Sequence, residues 1–118
     1  MKECVKKEIE KIIKKENLNC SIKEFKNYVN WDYISYSQKL SLDFIREFKD
    51  KVNWHCISHS QKLSEDFILE FKDKVDWDYI EKYQKITKKD IEEYEEELKE
   101  KEKLQKTRVK NKFQLIRF

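Results

Sequence analysis

The sequence predicts an all-α fold: short helix-turn-helix repeats stacked as a small α-solenoid, opened by an N-terminal capping helix and closed by a longer charged C-terminal helix. Three observations lead there. A unit is copied three times, as NWDYISYSQKLSLDFIREFKDKV from Asn30, NWHCISHSQKLSEDFILEFKDKV from Asn53 and DWDYIEKYQKITKKDIEEYEEEL from Asp76, so that Trp31, Trp54 and Trp77 stand 23 residues apart. Self-similarity at such a period is the signature of a stacked helical array. Inside each unit the apolar residues recur on a helical period. Gly and Pro are both absent, so the chain lacks the usual residues of tight hairpins.

Each unit divides into a short helix A and a longer helix B. Asn30, Asn53 and Asp76 precede the Trp and suit the N-cap of helix A, because their side-chain oxygens accept orphan backbone N–H groups. Helix A runs from the Trp to about Gln38, Gln61 or Gln84. Its inward face is Trp31, Ile34 and Gln38, then Trp54, Ile57 and Gln61, then Trp77, Ile80 and Gln84. Helix B, of about ten residues, begins after Ser41, Ser64 or Thr87, and Thr87 with Asp90 resembles a capping box. Acidic Asp43, Glu65 and Asp66 near its start suit the helix dipole. Helices this short need their neighbours to persist.

The chain reads as a single domain, 1–118, in three parts: a capping helix over 1–18, the repeat array over 19–98, and a charged helix end with a basic, aromatic tail over 99–118. Ile22, Phe25 and Val29 repeat the spacing of Ile45, Phe48 and Val52, so 19–29 is expected to be a lone helix B that opens the array. Val5, Ile9, Ile12 and Ile13 make the first helix amphipathic. The Glu/Lys-rich helix that follows the third unit is expected to end near residue 107.

Charged residues make up 43% of the chain, a level that would mean disorder if the 38% of hydrophobic residues were not periodic. The absence of Gly argues against phosphate loops and strained nucleophile turns. A net charge of +3 gives no global polycation field. Cys4, Cys20 and Cys56 match no zinc or redox spacing, and with no signal peptide or long apolar run they point to a cytoplasmic protein.

The units differ most where helix A should face solvent. Tyr33 and Tyr36, then Cys56 and His59, then Tyr79 and Lys82 would line up along one side and form a partner-binding ridge. The alternative is that these side chains only shield the seam between helices. His55, Cys56 and His59 share a face, but no second ligand pair follows, so no metal and no cofactor are expected. The three Gln are read as structural, bonding free carbonyls or amides at the A–B corner. The acidic run EEYEEELKEKE reads as a solvated helix face. In the tail, Arg108, Lys110, Lys112, Phe113 and Arg117 interleave basic and aromatic groups. Such a segment could track phosphates and stack bases, dock on a protein, or fold back over the last repeat. No nucleophile–base pair, metal set or phosphate loop is visible, so no enzyme is expected.

The unit W-x-x-I-S-x-x-Q-K-L-S-x-D-F-I-x-E-F-K-D-K-V resembles a short tandem repeat of giant DNA viruses, phages and AT-rich bacteria, over residues 30 to about 98. The third copy departs from it at Ile86, Thr87, Asp90 and Tyr94. The resemblance implies no catalytic residues. It implies a small phage- or virus-encoded array, acting in the host cytoplasm, that binds and blocks a host defence effector such as a nucleoprotein complex, as anti-CRISPR proteins do.

Overall fold

The structure is a computed structural model that describes the backbone of residues 1–116 and the side chains of residues 1–104. It is all-helical, with no strand among the described residues. In order come α1 (Glu3–Lys15), α2 (Phe25–Tyr28), α3 (Trp31–Ser37), α4 (Leu42–Glu47), α5 (Trp54–Ser60), α6 (Glu65–Glu70), α7 (Trp77–Tyr79) and α8 (Lys88–Ile116). α7 runs directly into a π-helical segment, Ile80–Gln84.

Polar side chains begin most of the helices. Asn30 accepts from the Tyr33 amide, Asn53 from those of His55 and Cys56, and Asp76 from those of Asp78 and Tyr79. Ser41 and Ser64 cap α4 and α6 through the Phe44 and Phe67 amides. Thr87 and Asp90 exchange reciprocal bonds at the start of α8, which is the capping box expected there. Ser21 and Glu24 exchange the same pair before α2.

The second helix of the first two units is shorter than expected. α4 and α6 span six residues each, and the chain then turns. The next Trp fastens the turn that follows. Its indole N–H takes the carbonyl five residues back: Trp54 donates to Lys49 O at 2.9 Å and Trp77 to Lys72 O at 3.0 Å. Trp31 does the same to Lys26 O at 2.9 Å, and the segment 19–29 is helical only over Phe25–Tyr28. Lys49 O and Lys72 O lie in the turns just past α4 and α6, so the bonds to them fasten those turns. The other difference is α8, which continues as one helix of 29 residues, about 43 Å long, through the segment expected to be a tail.

The core follows the repeat. Phe25, Phe44 and Phe67 are fully buried, as are Ile34, Ile57 and Ile80 on the first helices and Ile45 and Ile68 on the second. Each such side chain contributes roughly 1.5–3 kcal/mol when buried. Trp31 lies 5.0 Å from the Phe48 ring and Trp54 5.0 Å from Phe71, so the indoles are packed and only partly exposed. Asp90 and Tyr94 occupy the matching positions of the third unit, and the Tyr94 hydroxyl donates to Asp66 instead. α1 covers the first unit with Val5, Ile9 and Ile12.

Buried polar groups join one unit to the next. The Ser35 hydroxyl accepts from the Asn53 amide at 3.1 Å, and Ser58 from the Asp76 amide at 2.9 Å. Gln61, only 4% exposed, donates to Ser35 O at 3.0 Å and Gln38 O at 2.6 Å and accepts from the Leu40 amide at 3.0 Å. Gln84 repeats this on Ser58 O, Gln61 O and the Leu63 amide. Gln38 meets Glu16 and Lys15 of the N-terminal segment. Gln61 and Gln84 thus satisfy corner groups as expected, but of the preceding unit's corner, whereas Gln38 bonds side chains only. The second helices and the turns after them are joined at the surface by Arg46–Glu70, Lys74–Asp50 and Lys72–Glu95, pairs that contribute little each. No helix among the described residues is long and apolar enough to cross a membrane.

Candidate interaction surface

These joints hold α3, α5 and the π segment side by side, with α3 packed on α5 and α5 on the π segment. Their outward side chains therefore form a continuous row. Tyr36 stacks on His59 with centroids 5.6 Å apart and planes at 22°. His59 meets Tyr83 edge-on at 4.2 Å and Tyr79 at 5.8 Å. Tyr79 and Tyr83 lie 5.9 Å apart, and His55 lies 6.2 Å from Tyr79. Tyr36 is 60% exposed, Tyr83 44% and Tyr79 37%, so three units contribute to one solvent-facing aromatic ridge.

Of the residues singled out from sequence, Tyr36, His59 and Tyr79 come together in this ridge. Tyr33 is exposed on α3 but has no ring partner among the described residues. Lys82 places its ammonium 5.3 Å from the Tyr83 centroid, a cation–π arrangement. Cys56 is half-buried beside the ridge; burial, and then the charge of Asp32, push its thiol up from the usual value. Arg108, Lys110, Lys112 and Phe113 fall on α8, but their side chains lie outside the described residues, and Arg117 lies outside them altogether.

Tyr83 was not visible as a ridge residue in the sequence, where its repeat equivalents are Ser37 and Ser60. The π segment accounts for its arrival. A π turn takes up one more residue than an α turn, which shifts the phase of everything after it. Glu81 replaces the buried Ser35 and Ser58 and stays exposed, and the helix ends on Lys85 in a left-handed conformation, φ 57°. The only advance signal is the change from Ser to Glu at a position buried in the other two units.

One polar joint borders the ridge. The His55 Nδ1 lies 2.5 Å from an Asp76 carboxylate oxygen. Partial burial pushes the Asp76 carboxyl up, but the bonds from His55 and from the Tyr79 and Asp78 amides outweigh it and hold it below the usual value. One unit earlier the same place holds Asp32, which accepts from the Asn53 amide group at 2.8 Å. His59 Nδ1 is bonded to the Ser60 hydroxyl at 2.8 Å. No three His, Cys, Asp or Glu side chains converge as a metal site among the described residues.

Comparison with protein-family models, with characterised proteins and with solved structures finds no match to this chain.

Proposed function

We propose that this chain is a non-catalytic binding protein: a short α-solenoid of three repeats that grips another macromolecule through its aromatic ridge. The observation that carries this reading is the contiguous, exposed row Tyr36–His59–Tyr83, with Tyr79 beside it, built from three successive units. Tyr is favoured at interface centres because a rigid apolar ring and a polar tip act together. The glutamine and serine bonds between units support the stacked arrangement, since they recur with the repeat. Arrays of this kind present surfaces to partners. The sequence resemblance supplies the kind of partner: a host defence effector, bound and blocked in the host cytoplasm.

Affinity capture from a phage-susceptible host lysate, read by quantitative mass spectrometry, tests the reading. Wild-type protein should retain one stoichiometric partner that the folded variant Tyr36→Ala/Tyr79→Ala/Tyr83→Ala loses. No stoichiometric partner, or equal retention by both proteins, overturns it.

A further inference from the structure

A second site lies away from the ridge, along α1. A groove of about 750 Å³ runs between α1 and the corner that joins α3 to α4. One wall carries Lys7, Lys11 and Lys15, and the other carries Lys39. Residues four apart on a helix share a face and stand about 6 Å apart along its axis, so the three α1 lysines form a straight row.

The groove's carboxylates are already engaged. Glu8 accepts from the Ser41 amide at 2.9 Å and from its hydroxyl at 2.6 Å. Asp43 is paired with Lys2 and Arg46. Among the described residues, Lys7, Lys11 and Lys39 have no carboxylate within 4.0 Å, and Lys15 donates to the neutral Gln38 side chain at 3.3 Å. Four cations therefore face solvent with no carboxylate within 4.0 Å, against the one charge that Glu8, bonded to neutral Ser41, keeps in the groove.

The row continues along the array. Gln61 is bonded to Gln38 O, so the corners are adjacent, and the residue after each Gln, Lys39 then Lys62, is exposed along one edge. The next lysine in line, Lys85, sits instead among Glu65, Asp90 and Glu93, which closes the basic track.

We propose that this track binds the sugar–phosphate backbone of single-stranded nucleic acid without reading its sequence. Regularly spaced point charges suit phosphates. A protein partner would need an apolar anchor, and the groove exposes no large apolar side chain: its Ile12 is 5% exposed. The site is separate from the ridge and stands or falls independently of it.

Fluorescence polarisation of a labelled oligothymidine of about 12 nucleotides, with full-length protein, tests the proposal. Five lysine contacts predict a loss of affinity of about 130-fold between 50 and 200 mM salt. The variant Lys7→Gln/Lys11→Gln/Lys39→Gln keeps good helix formers and should weaken binding at least tenfold at about 50 mM salt, reducing the salt slope by about 2. Two variants of equal charge change, Lys88→Gln/Lys99→Gln/Lys101→Gln and Arg108→Gln/Lys110→Gln/Lys112→Gln, should each retain affinity within about threefold of wild type. Circular dichroism confirms that all are folded. The proposal is overturned if wild-type protein does not bind at low salt, if the groove variant binds like wild type, or if either comparison variant loses as much. It is equally overturned if polyglutamate competes as well as the oligonucleotide, which would assign the groove to an acidic protein.

Discussion

Replacing Gln61 by Ala should destabilise the protein far more than the same change at Gln38 or Gln84, although the three residues hold one position in the repeat. Gln61 is buried and makes three bonds at 2.6–3.0 Å, to Gln38 O, Ser35 O and the Leu40 amide. At about 1 kcal/mol each, their loss costs about 3 kcal/mol, a factor of about 150 in the folded-to-unfolded ratio. Gln84 is half-buried, and two of its three bonds are long, at 3.2 and 3.4 Å, so its loss should cost about 1–2 kcal/mol. Gln38 bonds only the side chains of half-buried Glu16 and exposed Lys15 and no backbone group, which predicts about 0.5–1 kcal/mol. Urea titration followed by far-ultraviolet circular dichroism reads these differences. With a slope of about 1.5 kcal/mol/M, Gln61→Ala should lower the midpoint by about 2 M. Equal shifts for the three variants, or a Gln61 effect below about 1 kcal/mol, would refute the reasoning.

Further expectations concern single groups. Ser35→Ala and Ser58→Ala each strand a backbone amide against a fully buried position and should cost about 1–2 kcal/mol in the same titration. Asp76→Asn retains a good N-cap but removes a titrating carboxylate. Because the folded Asp76 carboxyl lies below its ordinary value, its stabilisation is present above the ordinary carboxylate range and fades as pH falls through the depressed folded value. The wild-type urea midpoint should therefore fall more steeply with acid than that of Asp76→Asn; parallel curves would contradict this. Cys56, half-buried with its thiol pushed up, should react with iodoacetamide at pH 7–8 more slowly than the exposed Cys4, as read by peptide mass mapping.

How much of this was legible in the sequence depends on whether a residue acts within its unit or across a joint. The caps at Asn30, Asn53, Asp76, Ser41, Ser64 and Thr87 were readable, because capping is local and depends on residue type. The core positions were readable for the same reason, through their period. The shortened second helices were not, since the turn after each is held by the next unit's Trp. Ser35 and Ser58 look like ordinary solvent-facing serines until the following unit buries them. On the ridge, Tyr36, His59 and Tyr79 followed from register alone. Tyr83 depended on a change of helical phase that propensity does not announce. The α1 groove combines a helix face, visible in sequence, with a corner more than twenty residues away, and only the packing of α1 on α4 joins them.

Nuclear Overhauser spectroscopy on the isotopically labelled protein tests both the side-by-side units and the surface they create. Ring-proton cross-peaks from His59 to Tyr36 and to Tyr83 are predicted, because these side chains come from three consecutive units and lie 5.6 and 4.2 Å apart between centroids. Assigned spectra in which His59 reaches neither tyrosine would contradict the account.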